Sequence, residues 1–76
     1  HEQGLYFDTL ALILLKQGDA KAALGAQRRA LRLTRKTHPK LHVLFTHLAD
    51  IHKALGQDDA AKLARYRSTL AKQAQH

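Results

Sequence analysis

The stretch 7–31, FDTLALILLKQGDAKAALGAQRRAL, decides the fold, because it reads as two helices folded back on each other around one glycine. Asp8 to Lys16 holds Leu10, Leu12, Ile13, Leu14 and Leu15 with no glycine and no proline, which predicts a helix. That helix is apolar almost all round, so it needs neighbours on more than one side. In Gln17-Gly18-Asp19, the glycine supplies the left-handed conformation that ends a helix, and Asp19 can cap the amides of the next one. So short a turn forces the second helix to run antiparallel to the first.

The second helix is expected from about Ala20 to about Lys36. It sets Ala22, Ala23, Ala26, Ala30 and Leu33 on one stripe, and Ala23, Ala26 and Ala30 form a small-residue seam that lets two axes approach closely. Gly25 costs this helix roughly 1 kcal/mol relative to alanine.

Sliding the chain against itself by 38 residues pairs Phe7 with Phe45, Leu10 with Leu48, Ala11 with Ala49, Ile13 with Ile51 and Gly18 with Gly56. The same shift pairs Ala22, Ala23, Ala26 and Arg29 with Ala60, Ala61, Ala64 and Arg67. A period in this range marks a stacked repeat whose units cannot bury their apolar faces alone. The unit is helix, glycine turn, helix, written twice: about 4–37, then about 38–75. Together they make one all-α domain of two stacked antiparallel hairpins.

These residues resemble the tetratricopeptide repeat. Phe7, Leu10, Ala11, Leu14, Gly18, Ala23 and Ala30 match its pattern in the first copy, and Phe45, Leu48, Ala49, Gly56 and Ala61 match it in the second. The resemblance covers the chain from about Gly4 to about Leu70. Gln27 and Arg65 stand where the family has a large aromatic residue, His52 replaces a tyrosine, and Ser68 replaces the last alanine. The repeat also exceeds the family's usual length of about 34 residues, the excess falling around Arg35 to Lys40, as in kinesin-light-chain-like repeats. The resemblance implies a concave groove lined by the first helix of each hairpin. It carries that role onto Asp8, Thr9, Leu12 and Lys16, then Thr46, His47, Asp50 and Lys53. The family's clamp for a C-terminal carboxylate relies on asparagines, and this chain has none.

Around the first hairpin the chain is simpler. Residues 1–4 carry no helix signal, and the first helix is expected to start near Leu5. Thr37-His38-Pro39 breaks the second helix, and Pro39 suits the first turn of a third running to about Ala54. The third helix should bury Leu41, Leu44, Phe45, Leu48, Ile51 and Leu55. A fourth, capped by Gln57 or Asp58, should run to about Gln73, packing Ala60, Ala61, Ala64 and Leu70 behind a polar face able to end a stack. The first helix, by contrast, looks for a neighbour. Leu10, Ile13 and Leu14 read as core, while Leu5, Leu12 and Leu15 could meet a preceding repeat or a second copy.

The chain has 76 residues, no cysteine and a net charge of +7 with histidines neutral. That is close to the smallest size at which one core sustains itself, and no disulfide can assist it. The composition suits a reducing compartment, and a cytoplasmic location is expected. No apolar run is long enough to cross a bilayer. With no initiator methionine, the chain is expected to be a piece of a longer protein. From Lys21 to Lys40 there are seven basic residues and no acidic one. Arg28, Arg29, Arg32, Arg35 and Lys36 form either a solvated helix face or a surface for nucleic acid or another polyanion.

Of the six histidines, His38 and His42 are separated by a proline, and His47 and His52 are spaced poorly for one helix face, so no metal site is expected. Thr37 with His38 and Thr46 with His47 are neighbours in sequence, and adjacent side chains diverge on a helix, so neither makes a nucleophile and base pair. The four glycines are isolated and form no phosphate loop. Neither catalysis nor a cofactor is expected. The sequence reads as a module that binds another protein or peptide, or a copy of itself, with polyanion binding as the alternative.

Overall fold

A computed structural model describes residues 2–74. It contains four helices, α1 (Glu2–Lys16), α2 (Ala20–Leu33), α3 (Leu41–Ala54) and α4 (Asp58–Gln73). They form two hairpins, α1 on α2 and α3 on α4. The hairpins join mainly through α2 against α3, while α1 meets α3 along a narrow edge. The all-α arrangement of two stacked hairpins is thus the observed one. None of the described helices is long and apolar enough to cross a membrane.

Both hairpin turns close in the same way. Gly18 at φ 85° and Gly56 at φ 75° take the left-handed conformation. The Gly18 amide donates to the Leu15 carbonyl and the Asp19 amide to that of Leu14, and Gly56 to Lys53 with Gln57 to His52 repeats the pattern. This paired closure satisfies the carbonyls that a helix end leaves open. Asp19 then accepts a hydrogen bond from the Ala22 amide at 3.1 Å. At the second turn Gln57 occupies the cap position without capping through its side chain. Its Oε1 instead accepts from His52 Nδ1 at 2.7 Å.

Three helix boundaries differ from the expected ones. The first helix begins at Glu2, not near Leu5. Gly4 is the reason that end is packed: a Cβ there would collide with Thr34 Oγ1 and lie 3.1 Å from the Ala30 carbonyl oxygen, so only glycine lets α1 close on the end of α2. The second helix stops at Leu33, three residues before Lys36, because Thr34 turns to extended backbone and its hydroxyl takes the Ala30 carbonyl at 2.7 Å. The third starts at Leu41, since His38 Nδ1 accepts from the Lys40 amide and holds Pro39 and Lys40 in a turn ahead of it.

The core follows the small-residue seam. Ala11, Ala23 and Ile51 are buried together, with Leu14, Leu15, Leu24, Ala26 and Leu55 packed around them. Leu48, Ala49 and Ala64 form the adjoining cluster, against Leu24, Leu31 and Phe45. Several residues expected in the core or on the apolar stripe of α2 lie outside the core. Ala22 is exposed, and Ile13, Leu33 and Leu70 are exposed large apolar residues.

Candidate functional site

Beyond the apolar core, the candidate surfaces and clusters are a buried polar tie, exposed apolar faces on α1 and α4, and a basic cleft. The first lies between the hairpins. Gln27 is fully buried, and its Nε2 donates to Asp8 Oδ1 and to the Leu44 carbonyl, both at 2.8 Å. His47 Nδ1 donates to the same Asp8 oxygen at 2.8 Å. Asp8 from α1, Gln27 from α2 and His47 from α3 therefore form one polar tie across both repeats. Gln27 Oε1 is buried without a hydrogen-bond partner. The tie explains the departure from the repeat pattern at position 27, where an aromatic ring would leave the Asp8 carboxylate without its amide donor.

This arrangement corrects part of the expected groove. Asp8 is buried, and Thr46 turns toward α4, sharing Ser68 Oγ at 2.8 Å and donating to the His42 carbonyl. Asp50 stands 4.0 Å from Arg65, again on the α4 side. Thr9, Lys16 and Lys53 are exposed, and Leu12 and His47 are half-buried. The eight groove residues therefore do not share one open surface.

The second surface is the outer face of α1. Tyr6 is 64% exposed and Ile13 49%, and seven residues of helix place them within roughly 20° of each other. Of the three leucines expected on the self-association surface, Leu5 and Leu12 are half-buried at its margin, and Leu15 instead packs on the core. The internal repeat gives the comparison. Tyr6 and Ile13 correspond to Leu44 and Ile51, which are 1% and 0% exposed beneath the neighbouring hairpin. The same face of the repeat is covered in one copy and open in the other.

The face of α4 that matches the α3-facing side of α2 is polar, with Lys62, Arg65 and Thr69 exposed, but an adjoining side of the helix is apolar, which was not expected. Leu63, Tyr66 and Leu70, at 50%, 61% and 45% exposure, follow helical spacing and form an outward apolar stripe. That i, i+3, i+7 spacing was legible in the sequence but lay hidden behind the basic residues interleaved with it.

The third surface is an open cleft of about 620 Å³. α2 supplies Arg28 and Arg32 to one side and α4 supplies Arg67 to the other, over a floor of Leu31, Leu48 and His52, with Gly25 at its edge. No acidic side chain lines it. The five-residue basic patch is thus divided. Arg29 lies over the Phe7 ring, 5.0 Å from its centroid, and Arg35 and Lys36 sit in the α2–α3 connection. Among the described residues, no group of three metal-ligating side chains is assembled.

Comparison with protein-family models, curated proteins and solved structures found no match.

Proposed function

We propose that this chain is a tetratricopeptide-like interaction module, without catalysis, that uses the outer face of α1 to associate with a copy of itself or with an apolar helix of another protein. The observation that carries this reading is the contrast between the two repeats. Leu44 and Ile51 are covered by α2, and their counterparts Tyr6 and Ile13 are open. Regular head-to-tail stacking of copies is disfavoured, because the α4 positions that match the α3-facing residues of α2 are Lys62, Arg65 and Thr69. A two-fold pairing of α1 with its own copy avoids those charges.

Two hydroxyls near histidines support the non-catalytic part of the reading. Thr46 and Ser68 are engaged with each other and with the His42 carbonyl, not with a histidine base. A reducing compartment such as the cytoplasm suits a chain with no cysteine.

The test is solution mass by light scattering across a concentration series, with the wild type beside Ile13→Asp. A wild-type dimer that the substitution returns to monomer supports self-association. A wild-type monomer refutes self-association and leaves a foreign helix as the partner. Equal capture of binding proteins by wild type and Ile13→Asp would then remove the α1 face from the proposal altogether.

A further inference from the structure

We infer that the cleft between α2 and α4 is a second binding site, separate from the α1 face, and that it takes an acidic peptide segment whose carboxylates flank an apolar side chain. The chemistry of the cleft defines this ligand. Arg28 and Arg32 lie four residues apart on α2 and face Arg67 across the opening, and no carboxylate among the lining residues neutralises them. Arginine presents a planar fork of donors that matches a carboxylate bidentately, so the walls favour anionic groups on both sides of the cleft. Between the walls, Leu31 and Leu48 offer an apolar floor for a small hydrophobic side chain. His52 closes that floor, held by its bond to Gln57.

Gly25 is the second, independent observation. It sits in the interior of α2, where glycine is unfavourable, and its φ is not in the left-handed region. A Cβ built there meets nothing within 4 Å, so no packing contact requires glycine. What glycine does is keep the edge of the cleft open. The matching residue in the second repeat is Leu63.

Nucleic acid fits less well. From Gly25 to Arg32 the α2 wall spans about 10 Å of helix, too short to follow a phosphate backbone over several nucleotides. The one ring lining the cleft, the His52 imidazole, is buried in the floor and held by Gln57, so no exposed aromatic face is offered to stack a base. The volume instead suits an open cleft that takes a few side chains of a peptide.

The experiment is fluorescence anisotropy at moderate salt with a short fluorescein-labelled peptide in which one leucine is flanked by glutamates. A glutamine version of the peptide is the neutral control, and a labelled oligothymidine is the nucleic-acid arm. The glutamate peptide should bind and the glutamine peptide should not. Arg28→Glu combined with Arg67→Glu should weaken binding by about tenfold or more. Gly25→Leu should weaken it comparably with no change of net charge, whereas Lys72→Glu, outside the cleft, should change it less than about twofold. Circular dichroism establishes that each variant is folded, and Gly25→Leu favours the helix. Three results overturn the inference: no saturable binding of the glutamate peptide, equal weakening by Lys72→Glu, or tighter binding of oligothymidine that Gly25→Leu leaves unchanged.

Discussion

Replacing Gln27 with alanine tests whether the polar tie holds the two hairpins together. In the native chain its amide nitrogen bridges Asp8 Oδ1 and the Leu44 carbonyl, each at 2.8 Å, from a fully buried position. A hydrogen bond to a charged acceptor contributes about 1.5–3 kcal/mol and a neutral one about 0.5–1.5 kcal/mol. Asp8 keeps His47, and the Leu44 carbonyl keeps its place in α3, so neither partner is wholly abandoned. The orphaned Oε1 also disappears, which returns part of the loss, and alanine improves the helix by a few tenths of a kcal/mol. Against that stand the space left by the amide and the thinner contact between α1 and α3. The net loss expected for Gln27→Ala is about 2–4 kcal/mol. At about 0.05–0.15 kcal/mol per residue, a chain of this length has a total stability of about 4–11 kcal/mol, so the loss is a large part of it. Urea unfolding followed by circular dichroism measures it directly. A double-mutant cycle with Asp8→Ala should give a coupling of about 1–2 kcal/mol. A loss below about 0.5 kcal/mol, or strictly additive effects in the cycle, would refute the reasoning.

The glycines separate cleanly by position. Gly18→Ala forces a Cβ into the left-handed region at φ 85° and should cost about 1 kcal/mol, while Gly25→Ala, with open space around its Cβ, should gain about 0.5–1 kcal/mol in the same urea assay. Gly4→Ala should lower stability by about 1–3 kcal/mol through its collision with Thr34 Oγ1. Thr34→Ala in the same chain should recover part of that loss, and no recovery would mean that the Ala30 carbonyl sets the limit instead.

The parts of the fold that the sequence made legible are those set by local chemistry. Gly18 and Gly56 mark their turns because a left-handed residue there satisfies the preceding carbonyls, and Asp19 caps because its carboxylate lies within reach of Ala22. The helix ends at Glu2, Leu33 and Leu41 were not legible, because each depends on a contact distant in sequence or on a local side-chain bond competing with the helix. Gly4 looks like a tail until Thr34 is seen against it, and Thr34 ends α2 by taking the Ala30 carbonyl. Asp8 was assigned to an open groove on resemblance alone, whereas Gln27, 19 residues away, draws it inside.

The same physical distinction orders the surfaces. Burial of one repeat's face by the next is a tertiary event, so Tyr6 and Ile13 cannot be told from Leu44 and Ile51 by apolar pattern. Among the described residues, the presence of α2 over Leu44 and Ile51 is what separates the two pairs. The cleft depends on the same stacking. Arg67 pairs with Arg29 in the repeat alignment, yet Arg29 lies over Phe7 while Arg67 lines the cleft opposite Arg28 and Arg32. Two arginines at one repeat position thus meet different surroundings, because α4 has the preceding hairpin's α2 across the cleft, whereas Arg29 lies on Phe7 of its own hairpin. A third hairpin packed on α4 would place its own residues beside Leu63, Tyr66 and Leu70, which match Gly25, Arg28 and Arg32 of the first copy. The α4 wall of such a groove would be apolar, with a leucine where the first copy has Gly25, so the paired arginines of the α2 wall are not a property of the repeat.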